Sequence, residues 1–298
     1  MDKILEYNAK DCAVKIKEFM DKFLPAPTID LQLKLLANFQ FSSLYNWEDY
    51  YPYGMLHKSD PFDEDATVLA DMIYLVAYHD KLPDLKTLND IDGTKYRGET
   101  INTFNNLFKS ELEGLKEFVP HTEDNQYFYF KVLEFREKYL TMGNFMLLPN
   151  DGKENKEKSR KDSLNMLKQD LCRDYADIFF FKLYNDDEKK IKEAREFKAN
   201  KEYFKEISNI ETFCKVNFLG DYIDNNNNPK IVFNHKDITK PYVWYKHIAA
   251  YTYMNSVTEE EYKEFALNYI NKSILIIQKR AELICRELKK KFTDFGII

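Results

Sequence analysis

The chain has 298 residues, 44% of them hydrophobic and 32% charged, which is enough apolar material for a substantial core and too much for a disordered chain. Only 8 Gly and 9 Pro punctuate it, too few for the tight turns of an all-β protein, so long helices with few breaks are expected. A net charge of −6, with basic and acidic residues interleaved almost everywhere, offers no basic face for duplex DNA.

Residues 2–23 place Ile4, Leu5, Ala9, Val14, Ile16, Phe19 and Phe23 at helical spacing, and Pro25 and Pro27 stop them. A second apolar series over 30–40 runs into an aromatic stretch from Phe39 to Tyr53. Asp63, Glu64 and Asp65 then stand at the start of a predicted helix over 65–80, where acidic residues suit the positive end of the helix dipole. Helices follow over 99–118 and 124–140. Between 141 and 153 the pattern changes: a Gly143-Asn144 turn, four apolar residues, then Pro149-Asn150-Asp151-Gly152. This predicts a short extended segment near 144–149.

Helices resume over 156–184 and 187–207, and four consecutive Asn residues from Asn225 to Asn228 before Pro229 mark a loop. A short extended stretch at Ile231–Phe233, a helix over 241–255 and a long helix over 258–292 close the chain. The last carries Tyr262, Ala266, Tyr269, Ile276, Ala281, Ile284 and Leu288 as a stripe expected to face the core. There is no internal repeat and no linker that demands a second unit, so residues 1–298 are expected to form a single compact helical domain.

Cys12, Cys172, Cys214 and Cys285 lack the close spacing of a metal cage and the density of a disulfide framework, which suits reduced thiols in a reducing compartment. The opening Met1-Asp2-Lys3-Ile4-Leu5-Glu6 has no signal-peptide pattern, and the longest apolar runs, such as Ile178–Phe181, are too short to span a bilayer. A cytoplasmic location is the expectation.

Residues 45–185 contain a set of short motifs: Asp60-Pro61 with Thr67-Val68-Leu69, Lys81-Leu82-Pro83 and Thr103-Phe104. Met142-Gly143-Asn144-Phe145-Met146-Leu147-Leu148-Pro149 follows, then Asn155, Arg160 and Asp174-Tyr175-Ala176-Asp177-Ile178-Phe179. Together they resemble an uncharacterised family of bacterial proteins. That family typically reads Ile-Gly-Asn, an apolar run and Pro, then Asn, Arg-Gly and Asp-Tyr/Phe-x-Asp. Here Arg-Gly is Arg160-Lys161, and the His that often precedes the Gly-Asn turn is replaced by Thr141 or Met142. The resemblance implies a globular bacterial or phage protein and transfers no activity. The Gly-Asn-apolar element also resembles a segment downstream of the active site in His-Asn-His-type nucleases. Such a site needs an Asp-His or Glu-His pair upstream, and nothing before Gly143 supplies one.

On the predicted helix 156–184, Asp170, Asp174 and Asp177 share one narrow face. With Asn155 or Asn144 they suit a divalent metal or a general base; the competing account is a solvated acidic face balanced by Lys168 and Arg173. Arg97, in Gly93-Thr94-Lys95-Tyr96-Arg97-Gly98 before a predicted helix, suits a phosphate or carboxylate, or else an ion pair at the core's edge. His57, His79, His121, His235 and His247 are isolated, no Gly-x-Ser-x-Gly elbow occurs, and no Arg precedes a His at the spacing of a common helical ribonuclease family.

Two functional expectations follow. The first is an enzymatic or ligand-binding protein acting on a phosphate-bearing substrate, a nucleotide or nucleic acid. Asp174 and Asp177 would be its catalytic carboxylates, Arg97, Asn102, Asn144, Asn155 and Arg160 its substrate ligands, and a divalent metal its cofactor. The rival is a non-catalytic helical module that binds a partner protein, in phage defence or counter-defence, with Asn144 and the aspartates only capping turns.

Overall fold

The computed structural model describes residues 2–41, 67–82, 85–91, 119–147, 210–220 and 258–298. Of these, 72% are helical. The backbone bridge Asn8–Thr87 joins two loops rather than building a sheet. The fold is all-α. The helices expected over 99–118, 156–184, 187–207 and 241–255, the Asn225–Asn228 loop and the stretch Ile231–Phe233 lie outside the described residues.

The expected first helix is split in two, α1 (Asp2–Leu5) and α2 (Ala9–Phe23). Asn8 causes the break. Its side-chain oxygen accepts from the amides of Lys10 and Asp11, and Asp11 returns the favour by accepting from the Asn8 amide. A short polar side chain that bonds the backbone two and three residues on competes with helix continuation and starts a new helix instead. α2 then buries Ala9, Cys12, Ala13, Ile16, Phe19 and Met20, while Val14 turns outward. Thr28 caps α3 (Ile29–Ala37) by accepting from the Leu31 amide at 3.3 Å, and Asn38 closes it by donating to the Lys34 carbonyl at 2.8 Å.

α4 (Val68–Tyr78), capped by Thr67, is buried at every residue. A helix apolar all round belongs in the middle of a bundle, and α4 packs on α2 and on the last helix. A short α5 (Leu88–Ile91) follows. A single 3₁₀ turn, Glu123–Asn125, leads into α6 (Gln126–Tyr139), and a short α7 spans Ile210–Val216.

The last helix, α8 (Glu259–Asp294), has 36 residues and so extends about 54 Å. Thr258 and Glu261 form a capping box at its start. At its end Gly296 takes φ +70°, and the Ile297 amide donates to the Phe292 carbonyl at 2.8 Å, the left-handed closure that favours glycine. α8 lies against α2, α3, α4 and α6, so one rod organises most of the described chain. Its buried stripe passes through Ile270, Ile277, Ala281, Ile284, Leu288 and Phe292, and Ile276, expected on it, is only half-buried. One buried cluster draws residues from all six described segments.

Two contacts fix the C-terminal end of α4 to α8. The buried Lys291 ammonium donates to the Asp80 carboxylate, and Lys81 pairs with Glu287 at 3.0 Å. Lys291 holds Asp80 below its ordinary 3.8. A carboxyl depressed in the folded state adds stability above its unfolded pKa, and that stability is lost as pH falls through the folded value. Wild-type protein is therefore expected to be more stable than Asp80→Asn at neutral pH. The gap should close on acidification below the ordinary carboxylate range, as followed by urea denaturation across a pH series.

A second constraint is steric. A Cβ on Gly143 would lie 2.0 Å from the carbonyl oxygen of Ile277, so the turn after α6 touches the backbone of α8. Gly143→Ala is expected to cost about 3 kcal/mol, the upper end for overpacking, measured as a lowered urea midpoint at unchanged slope.

Candidate functional site

The turn at residues 141–147 leaves α6 and runs, non-helical and buried, between α4 and α8. Non-helical backbone inside a core needs partners for its amides and carbonyls. Here the neighbouring helices supply them. Tyr74 donates its hydroxyl to the Met142 carbonyl at 3.3 Å. Arg280 of α8, fully buried, donates from one terminal nitrogen to the Gly143 carbonyl and, at 2.9 Å, to the Phe145 carbonyl. Its Nε donates to the Asn217 carbonyl at 3.1 Å.

Asn217, in turn, donates from Nδ2 to the Phe213 carbonyl at 3.1 Å and accepts from the Tyr78 hydroxyl at 3.2 Å. Burial pushes the Tyr78 phenol up, so it stays a donor. The next residue, Phe218, has φ +58°, and the Leu219 amide donates to the Cys214 carbonyl at 2.7 Å. A phenylalanine in the left-handed region costs on the order of 1 kcal/mol. Its ring offsets that by packing edge-on to Tyr78 at 5.2 Å and beneath the Lys81 ammonium at 4.8 Å.

Among the residues expected to act on a substrate, only Asn144 is described. It is fully buried and donates from Nδ2 to the Tyr139 carbonyl at 3.2 Å, closing the C-terminal end of α6. Arg97, Asn102, Asn155, Arg160, Asp174 and Asp177 lie outside the described residues, as do Asp170 and most of the aromatic stretch beyond Phe41.

A surface feature lies beside this network and shares Thr141, Ile277 and Ala281 with the contact between the turn and α8. α3 runs antiparallel to α8: the Cys285 thiol donates to the Leu33 carbonyl at 3.2 Å, and Lys289 pairs with Asp30 at 2.7 Å. The two helices and the end of α6 enclose an open groove of about 760 Å³. Its floor is apolar and small-sided, with Leu33, Ala37, Ile277, Ala281 and Cys285. Its rim carries the cations Lys34, Lys138, Arg286 and Lys289 and the carboxylates Asp30 and Glu282. On a chain of net charge −6 this is a local excess of positive charge.

The ends of the groove are tied, by Lys289 to Asp30 and by Lys138 to the Asn38 side chain at 2.5 Å. Glu282 faces Lys279 at 3.6 Å. Between these ties, neither Lys34 nor Arg286 is in an ion pair among the described residues, and both are exposed. Burial, with Glu282 nearby, pushes the Cys285 thiol up to about 12, so it acts as a hydrogen-bond donor and not as a nucleophile at neutral pH.

Large apolar side chains are also exposed away from the groove. Leu31, 43% exposed, and Leu35, 46% exposed, each stand about 160° round α3 from the groove-lining Leu33. On α8, Leu275 is 55% exposed and lies two turns before Glu282 on one strip. A separate apolar strip, Tyr127, Phe130 and Leu133, faces outward from α6 at 60%, 61% and 54% exposure. Among the described residues no group of three or more His, Cys, Asp or Glu is arranged to hold a metal ion, and no helix is long and apolar enough to cross a membrane.

No protein-family model, curated protein or solved structure matches the chain.

The groove was missed in the sequence because its residues come from three helices far apart in the chain. No local signal marks it, because Lys34 and Arg286 read in sequence as solvated positions on separate helices.

The Arg280 network has a direct consequence. Arg280→Met keeps much of the volume but strips donors from three buried carbonyls, each worth about 1–3 kcal/mol when left unsatisfied. A loss of at least about 3 kcal/mol is expected in urea unfolding. Arg280→Lys should restore little of it, since an ammonium lacks the planar fork that spans both segments.

Proposed function

We propose that this chain is a helical protein-binding module that receives a partner in the groove between α3 and α8. The observation that carries the reading is the combination of an apolar floor and two exposed cations, Lys34 and Arg286, that have no ion pair among the described residues. The buried polar side chains support the same reading, because Asn144, Asn217 and Arg280 bond to backbone carbonyls and hold the scaffold. A role in phage defence or counter-defence fits a compact interaction module and is part of this proposal.

A second proposal is a phosphate-bearing ligand, a nucleotide or nucleic acid, and the exposed Lys34 and Arg286 favour it because phosphate is taken by such groups. In that reading Arg97, Asn102, Asn155, Arg160, Asp174 and Asp177 are the candidates for contact and catalysis, with a divalent metal.

The full chain and its Gln278→Trp variant, which enlarges an exposed groove-lining side chain, separate the readings when used as paired baits in extract of the cells that encode it. The substitution is at an exposed position, so the two baits are expected to melt together, within about 0.5 kcal/mol. A protein retained by the wild type and absent from the variant supports the module. Identical captures, or a melting shift of the wild type with ATP that the variant keeps, overturn it in favour of the phosphate ligand.

A further inference from the structure

The groove has a length and a charge pattern that narrow what fits it. Its α8 wall runs from Ile277 to Lys289, about 18 Å, or more than three helical turns. The opposite wall is α3, antiparallel to it, and the furrow of an antiparallel helix pair is the shape that a third helix fills in a bundle. Ala37 and Ala281 leave room on the floor for another backbone to approach. Apolar anchors spaced at i, i+3 or i+4 and i+7 on an incoming helix meet such a surface along one face.

Charge then selects among helices. The tied pairs Lys289–Asp30 and Lys138–Asn38 occupy the ends, and Glu282 is engaged by Lys279. Lys34 on α3 and Arg286 on α8 both line the groove and have no ion pair among the described residues. Carboxylates flanking an apolar stripe satisfy both; lysines there would meet like charge on both walls.

Resting on the reading of the chain as a binding module, we propose that the α3/α8 groove recognises an acidic amphipathic helix of a partner protein. Its apolar face seats on Leu33, Ala37, Ile277 and Ala281, and its Asp or Glu residues pair with Lys34 and Arg286. The Tyr127–Phe130–Leu133 strip on α6 carries no such argument, because nothing around it selects an occupant.

The test uses the full chain to select from a phage-displayed library of random peptides about four helical turns long. The selection is repeated with Lys34→Glu/Arg286→Glu, whose sites are both exposed and outside the buried network. The wild type is expected to enrich peptides of net negative charge with apolar residues at helical spacing, and the charge-reversed variant to lose them at least tenfold and gain basic ones. Binding of a chosen peptide should weaken as salt rises. Enriched peptides of neutral or positive charge, peptides that the charge reversal leaves bound, or displacement by ATP would each overturn the proposal, as would a selection that enriches nothing. If the peptides fail while Gln278→Trp still abolishes capture of a protein, the module stands and only the acidic helix is wrong. If both fail, neither stands.

Discussion

The guanidinium of Arg280 is the point on which the described core depends. A buried charged side chain is costly unless its donors are used, and here Nε and one terminal nitrogen are spent on carbonyls from the turn after α6 and the turn after α7. Those two turns are over 60 residues apart in sequence, and neither could lie inside the bundle with its carbonyls bare. α8 thus does two jobs. Its apolar stripe buries α4 and α6, and its one buried arginine stitches the irregular backbone between them.

The same network explains why polar residues in this core are not evidence of chemistry by themselves. Asn144 sits in a Gly-Asn element that reads, in sequence, as equally suited to substrate contact and to a turn. Its amide closes α6, while Gly143 beside it is required by the 2.0 Å approach of its absent Cβ to α8. Asn217 likewise links Tyr78, Phe213 and Arg280. Each side chain completes a hydrogen-bond account that helix ends and turns leave open.

Much of the helical frame was legible because it is local. Apolar spacing placed α4, α6 and α8 close to their observed bounds, and the scarcity of glycine and proline gave the fold class. The misses are where a second force competed. Asn8 interrupted a continuous helical pattern by capping, and Val14 and Ile276 show that a periodic apolar residue need not lie on the stripe that packing selects. The Gly143-Asn144 turn was readable from residue type, but its partner Arg280 was not. Nothing local marks one arginine among many charges on a long helix as the buried one.

The groove was illegible for a related reason. Lysines and arginines on α3, α6 and α8 look in sequence like any solvated face, and only the antiparallel registry of α3 with α8 brings Lys34 and Arg286 to one furrow. That registry is itself fixed by the core: Cys285 bonds Leu33 beneath the furrow, and Lys289 ties to Asp30 at its end. With the helices held at that separation, their large side chains cannot close over Ala37 and Ala281. The furrow is therefore a by-product of how tightly α3 and α8 are locked. In the proposed reading, loosening the core beneath it alters recognition before it unfolds the chain, because the spacing of the two walls is what an incoming helix would meet.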